Sequence, residues 1–175
     1  MTYFAFLKGI NVGGNHIIKM AELKALFENL GLKNVRTFIQ SGNVVFESPA
    51  KADVLKKKIE SRLEKAAGYK IVVVLRTKDE MEKIISGYPF SKIKGHTECK
   101  LNVGFLECSP EKNSVKELEV LNSDKEMFLV KGDNLYHLCK LGFAESLAGK
   151  NIFEKKLKVK VTVRNWNTVN KVLNI

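Results

Sequence analysis

The chain has 175 residues, 45% of them hydrophobic, with 30 basic against 19 acidic side chains and a formal net charge of +11. That length suits one domain or two small ones, and the apolar share excludes a disordered chain. No apolar run approaches the roughly 18 residues of a membrane helix, so no membrane partner is expected.

The first residues, MTYFAFLKGINVGG, have neither the basic region nor the apolar length of a secretory leader. Cys99, Cys108 and Cys139 show no framework spacing, so a reducing cytoplasm is the expected compartment. The charge is uneven. Residues 51–70 carry seven basic and three acidic side chains, and residues 150–175 carry seven and one. Such segments mark either an anionic partner or a solvated face, and the second is commoner.

Residues 3–8 (YFAFLK) read as a strand, followed by a glycine-rich loop. MAELKALFENLG reads as an amphipathic helix with Leu23, Leu26, Phe27 and Leu30 on one face, ended by Gly31. VRTFIQSGNVVFES reads as a hairpin around Gly42-Asn43. Ser48-Pro49 is expected to open a helix as cap and first residue, with Leu55, Ile59 and Leu63 buried and Gly68 closing it. YKIVVVLRT completes a β-α-β-β-α-β pattern, the ferredoxin-like split motif.

Thr77 and Glu80 form a capping box for a linking helix, and a polar loop follows. KLNVGFLE reads as a strand, Ser109-Pro110 as a helix start, and EMFLVKGDNLYHL as a second hairpin. Residues 143–157 read as helix in two pieces, with Gly149 interrupting and Asn151 capping the second. KVKVTV alternates Val159, Val161 and Val163 with polar residues, which predicts a strand with one wet face. NWNTVNKVL reads as a last helix capped by Asn165. Phe38, Gly42 and Phe46 match Phe128, Gly132 and Tyr136 in spacing, which suggests duplication with the aromatics as cross-strand neighbours. The expected fold is α+β: a ferredoxin-like subdomain over 1–77, a linking helix and loop over 78–98, and a second ferredoxin-like subdomain over 99–175 with an extra C-terminal helix.

LKGINVGG, MAELKALFENLGLKNVRTFIQSGNVVF, Pro89-Phe90 and TVRNWNTV together resemble the bacterial family called domain of unknown function 1697. The resemblance runs from about residue 3 to 173. Lys8 stands where that family often has Arg. The resemblance implies an α+β fold of two related subdomains and implies no activity.

Candidate sites follow from the residues themselves. Gly9 and Gly14 have the spacing of a Walker loop, but Asn15 and His16 stand where Lys and Ser or Thr are required. The G-x-G-x-x-G dinucleotide pattern is absent too. The connection from Gly9 to Lys19 is nonetheless long for a strand-to-helix loop, which usually takes about 2–6 residues. In a β-α-β-β-α-β sheet the first strand lies beside the third. Lys8, Asn11, Gly13, Gly14, Asn15 and His16 are therefore expected beside Gln40, Ser41 and Asn43, as an edge able to take an anion or a base. The bland alternative is that Gly42 and Asn43 supply the positive φ of a turn and the loop packs on its neighbours. Arg164, Asn165 and Trp166 form a second anion candidate at a helix start, against the commoner reading of a docking face.

Of the basic segments, Lys155, Lys156, Lys158 and Lys160, with only Glu154 nearby, are the expected contact to an anionic ligand or nucleic acid. On the 51–70 helix, partners such as Glu60 to Lys56 suit a solvated face. No RNA-recognition aromatic signature lies on a strand. His16, His96 and His137 have no acid partner legible in sequence, so catalytic residues are not assigned. His96 and Cys99 make half a zinc motif, and no metal or cofactor is expected. Cys108 and Cys139 are expected as small buried hydrophobes. Binding of an anionic ligand or nucleic acid at the glycine-loop edge is the first functional expectation. An enzyme acting on a phosphorylated small molecule, with His16 as acid–base, is the second. A structural or interaction module, including a homodimer, is the third.

Overall fold

The computed structural model describes residues 1–12, 16–93, 95–142 and 145–175. The chain divides into two compact units, Met1–Lys83 with Lys171–Ile175, and Ile84–Asn170. In the first, β1 (Thr2–Leu7), α1 (Met20–Glu28), β2 (Lys33–Phe38), β3 (Asn43–Glu47), α2 (Ala52–Ala67) and β4 (Val73–Thr77) build an antiparallel sheet in the order β2-β3-β1-β4. After the linking helix α3 (Lys78–Ser86) the pattern returns. It comprises β5 (Lys100–Leu106), α4 (Lys112–Glu119), β6 (Glu126–Lys131), β7 (Asn134–Cys139), α5 (Ile152–Leu157) and β8 (Val161–Asn165), in the order β6-β7-β5-β8. Helix α6 (Trp166–Leu173) closes the chain. Both halves are ferredoxin-like, with identical strand order.

The first core forms as the apolar spacing predicts. Leu23 and Phe27 of α1 and Leu55, Ile59 and Leu63 of α2 pack on the sheet face of Tyr3, Ala5, Leu7, Val44 and Phe46. Each fully buried aliphatic or aromatic side chain contributes roughly 1.5–3 kcal/mol. Gly68 ends α2 at φ 79, donating to the Glu64 carbonyl at 2.8 Å. The capping box also forms: Thr77 N donates to Glu80 Oε2 at 2.7 Å, and Glu80 N to Thr77 Oγ1 at 3.3 Å.

Four local expectations are corrected. Ser48 does not cap α2, because it is still tied into the strand: its N–H donates to the Met1 carbonyl, and its hydroxyl accepts from Ala50 N. The helix therefore starts at Ala52 after Lys51, and α4 likewise starts at Lys112, after Ser109-Pro110. Asn151 makes no side-chain cap; it turns the chain at φ 56, while Ser146 caps the preceding 3-10 turn, Leu147–Lys150. Strand β8 has no wet face of the kind expected, since Thr162 and Arg164 are buried and Val163 is 37% exposed.

The aromatic match is also out of register. Phe128 lies opposite His137, Tyr136 opposite Leu129, and Phe38 opposite Asn43. The hairpins differ because the second turns in two residues, Gly132-Asp133, and the first in four, Ile39 to Gly42. Strand pairing sets the true correspondence. Asn43 and Asn134 both open the third strand, opposite Phe6 and Phe105. Arg76 and Arg164 both sit on the fourth strand, opposite Phe4 and Val103.

Candidate functional site

The glycine loop meets the hairpin as the topology requires, because β1 pairs with β3. Leu7 N donates to the Gly42 carbonyl at 2.8 Å. The Asn11 amide nitrogen donates to the carbonyls of Gln40 at 2.7 Å and Ile18 at 3.0 Å, and its oxygen accepts from Ile18 N at 2.8 Å. Asn11 thus pins the loop to the hairpin with its whole side chain. Asn43 is fully buried, and its amide closes the turn onto the Phe38 carbonyl and Ser41 Oγ.

The positive φ values of the hairpin belong to Ile39 and Gly42, not to Asn43. Gly42 is also required by space, since a Cβ there would lie 2.7 Å from Ile10 Cδ1. Lys8 is half-buried, while Gln40 and His16 are exposed. The His16 ring rests on Tyr69, centroids 4.0 Å apart. Gly13, Gly14 and Asn15 lie outside the described residues. Beside this contact is a hollow of about 400 Å³, lined by Ile17, Ile18, Ala25, Leu26 and Tyr69, with Glu22 and Asn29.

The C-terminal motif is built inward. The buried Arg164 guanidinium donates through Nη1 to Thr162 Oγ1 at 2.8 Å and to the Val163 carbonyl at 2.9 Å, and burial lowers its pKa to about 10. Asn165 caps α6 as expected, accepting from Thr168 N at 2.7 Å. Trp166 lies against Tyr88, centroids 4.6 Å apart. Burial, with Cys99 adding, pushes the Tyr88 phenol up to about 12.

The most polar buried cluster was not expected. Glu126 Oε1 accepts from Ser146 Oγ at 2.7 Å, from His137 Nε2 at 3.0 Å and from Cys139 Sγ at 3.5 Å. Its Oε2 accepts from Leu147 N at 3.0 Å, which holds the 3-10 turn on the sheet. Burial pushes the Glu126 carboxyl up, but these hydrogen bonds outweigh it and set its pKa below the ordinary value. Burial holds the His137 imidazole below its ordinary value, against the pull of Glu126. His137 is therefore neutral at pH 7, with Nε2–H donating to Glu126 and Nδ1 accepting from Asn102 Nδ2 at 3.3 Å. Burial, with the Glu126 charge adding, keeps the Cys139 thiol protonated, which makes it a poor nucleophile. His137 thus has the acid partner that the sequence hid. The signal was the two-residue turn: counting back from Gly132-Asp133 puts Glu126 opposite Cys139 and diagonal to His137. Cys139 is buried as expected, whereas Cys108 is exposed, since it lies past the end of β5.

The cations are also redistributed. Lys156 lies 3.7 Å from Glu117 and Lys160 3.7 Å from Glu154, so two of the four C-terminal lysines have a carboxylate beside them. On α2, Lys56 pairs with Glu60 at 4.0 Å, as its spacing predicts. Lys57, Lys58, Arg62 and Lys65 instead line one open groove of about 560 Å³ with Asn29, Leu30 and Ser61. Among the described residues no carboxylate lines it.

The fold and the loop–hairpin edge define an α+β protein of two ferredoxin-like halves. The family model described as protein of unknown function (DUF1697) matches residues 1–136, and the chain belongs to that family. The conserved bacterial protein SP0830 from Streptococcus pneumoniae has a similar solved structure. It is 22% identical, with a TM-score of 0.74 over 99% of this chain and 97% of that one. At that identity the likeness shows the fold alone. No curated protein matches.

Proposed function

We propose that the chain binds an extended polyanion along α2, of the kind the phosphate backbone of a nucleic acid presents. One observation carries this reading: Lys57, Lys58, Arg62 and Lys65 line a single groove with no carboxylate among the described residues that line it. A cation in such a groove replaces condensed counterions, and their release drives binding without reading sequence. Among the described residues the groove carries no aromatic side chain to stack a base, so the expected binding is sequence-independent. The net charge of +11 favours the same partner.

Anisotropy titration of a labelled single-stranded oligonucleotide across a salt series tests it. Four phosphate contacts give a slope of log K against log salt of about −3. Lys58→Glu with Arg62→Glu should flatten that slope and weaken binding, while Lys155→Glu should not. Binding that ignores salt, or survives the α2 reversal, sinks the proposal.

A second reading places a small ligand at the loop–hairpin edge. It is supported by the exposed His16 and Gln40 and by Ile39, a β-branched residue held at φ 49, where backbone strain of order 1–3 kcal/mol is stored. The neighbouring hollow does not favour a phosphorylated ligand, since among the described residues Glu22 is the only charged one lining it. His16→Ala and Gln40→Ala should then reduce small-molecule binding without lowering the melting temperature, and unchanged binding removes this reading.

A further inference from the structure

We propose that Glu126, His137 and Cys139 form a closed binding site for one borderline divalent cation, with Zn²⁺ the best match to their donors. The three ligand atoms are a carboxylate oxygen, an imidazole nitrogen and a thiol sulfur, all within 4.8 Å of one another and all on buried residues. Oxygen, nitrogen and sulfur donors together are a zinc set, whereas calcium and magnesium take oxygen alone. Zinc bonds of about 2.0–2.3 Å in a tetrahedron put ligand atoms roughly 3.3–3.6 Å apart. Here Glu126 Oε1 lies 3.0 Å from His137 Nε2 and 3.5 Å from Cys139 Sγ. The third pair, His137 Nε2 and Cys139 Sγ, lies within 4.8 Å, so it closes by up to about 1.3 Å on binding. Ser146 Oγ, 2.7 Å from Glu126 Oε1, is the neighbour placed to complete or support the fourth position.

Charge points the same way. Side-chain exposure is 4% for Glu126 and 2% for His137, and among the described residues no lysine or arginine pairs with that carboxylate. Buried charges are generally paired or coordinate a metal. A dication bound by the Glu126 carboxylate, the Cys139 thiolate and a neutral imidazole leaves a site of no net charge. The proton inventory closes as well. The cation enters, the Cys139 thiol proton leaves to solvent, and the imidazole proton shifts from Nε2 to Nδ1. That N–H then needs an acceptor. The Asn102 amide is already within 3.3 Å of Nδ1, and half a turn of its plane presents Oδ1. An outer partner that orients the ligating imidazole is a recurrent element of zinc sites. The site joins β6, β7 and the Ser146–Lys150 turn, so the cation would tie the turn to the sheet. Nothing in this rests on polyanion binding at α2.

Titration of the full chain with Co²⁺ alone, then Zn²⁺ alone, tests it. The expected result is one Co²⁺ per chain with a thiolate-to-cobalt charge-transfer band, displaced by Zn²⁺. At about a hundredfold excess over Kd, Zn²⁺ should raise the melting temperature by about 5–10 °C. Cys108→Ser should keep the band and Cys139→Ser should lose it. In the wild-type chain, ¹⁵N imidazole shifts on adding Zn²⁺ should move for His137 and stay for His16 and His96, a readout independent of whether a variant folds. A wild-type chain with no charge-transfer band and no rise in melting temperature overturns the site. So does a band that persists in Cys139→Ser, or a shift confined to His16 or His96.

Discussion

The same strand lattice is filled in two ways in the two halves. Tyr3 lies opposite Phe46 in the first sheet, and Asn102 opposite His137 occupies the equivalent place in the second. In the first half this pair is a ring stack at 5.6 Å, with Phe27 edge-on to Phe46 at 5.5 Å. In the second it is a contact between amide and imidazole, and the imidazole still sits among rings, Phe128 at 5.1 Å and Phe153 at 5.4 Å. The aromatic surround is kept, and one member has become a titratable, metal-competent group with Glu126 beside it. In the first pair dispersion and burial hold Phe46, and the hydrogen bond of its partner lies at the margin of the pair, where the Tyr3 hydroxyl donates to the Ala50 carbonyl at 2.8 Å. The second depends on direction, since each buried polar atom needs its partner. The lesson is that topology constrains where a core residue sits, and leaves open whether it is held by area or by hydrogen bonds.

Deletion at each position separates these two modes. Phe46→Ala should cost the most, about 4 kcal/mol, because it removes the transfer energy of a fully buried ring and leaves a cavity. Glu126→Ala should follow at about 3 kcal/mol, through a different cause: it strands His137 Nε2–H, Ser146 O–H and Leu147 N–H without an acceptor. Urea unfolding measures both, with far-UV circular dichroism for the first and fluorescence of the single tryptophan, Trp166 in the second unit, for the other. A cycle of Glu126→Ala with His137→Ala should be non-additive by about 1–3 kcal/mol, because the second deletion removes a group the first has already orphaned. Additive values would mean that the two residues act independently and the comparison fails.

Much of the architecture was legible because it follows from periodicity. Leu55, Ile59 and Leu63 mark one face of α2, and the same helical spacing sets Lys57, Lys58, Arg62 and Lys65 apart from Lys56 and Glu60. The convergence of loop and hairpin was also legible, because strand order follows from β-α-β-β-α-β. What was hidden depends on register or on remote backbone. Glu126 opens a strand and reads as a wet end, and only the length of the turn at Gly132-Asp133 sends it inward. Asn11 reads as a ligand group because sequence does not show that the carbonyls of Gln40 and Ile18 consume its amide. Asn43 misleads in the same way, since a turn asparagine suggests positive φ, and here its amide bonds the turn instead.

Asn11 carries the comparison to the first half's own polar device, which lies in a loop. Asn11→Ala removes three hydrogen bonds at a half-buried site and should cost about 1–2 kcal/mol, less than Glu126→Ala because water can replace part of what is lost. Faster exchange of the Ile18 amide, which loses its acceptor, with the β1–β3 amides unchanged, would locate the effect. Sheet-wide loss of protection would instead make this loop part of the core.

The smallest effect should come from Tyr88→Phe. The Tyr88 hydroxyl is buried and has no hydrogen-bond partner among the described residues, unlike every oxygen of the Glu126 cluster. Removing an unsatisfied hydroxyl relieves its desolvation cost and keeps the ring that packs on Trp166 and Phe90. Stability should therefore hold or rise, by no more than about 1 kcal/mol, where deletion of a partnered buried group always loses. Trp166 fluorescence during urea unfolding reads this directly, because the indole lies against the substituted ring. A loss above that margin would show that the phenol is engaged after all, and that the polar groups of the second half form one network larger than the four residues around Glu126.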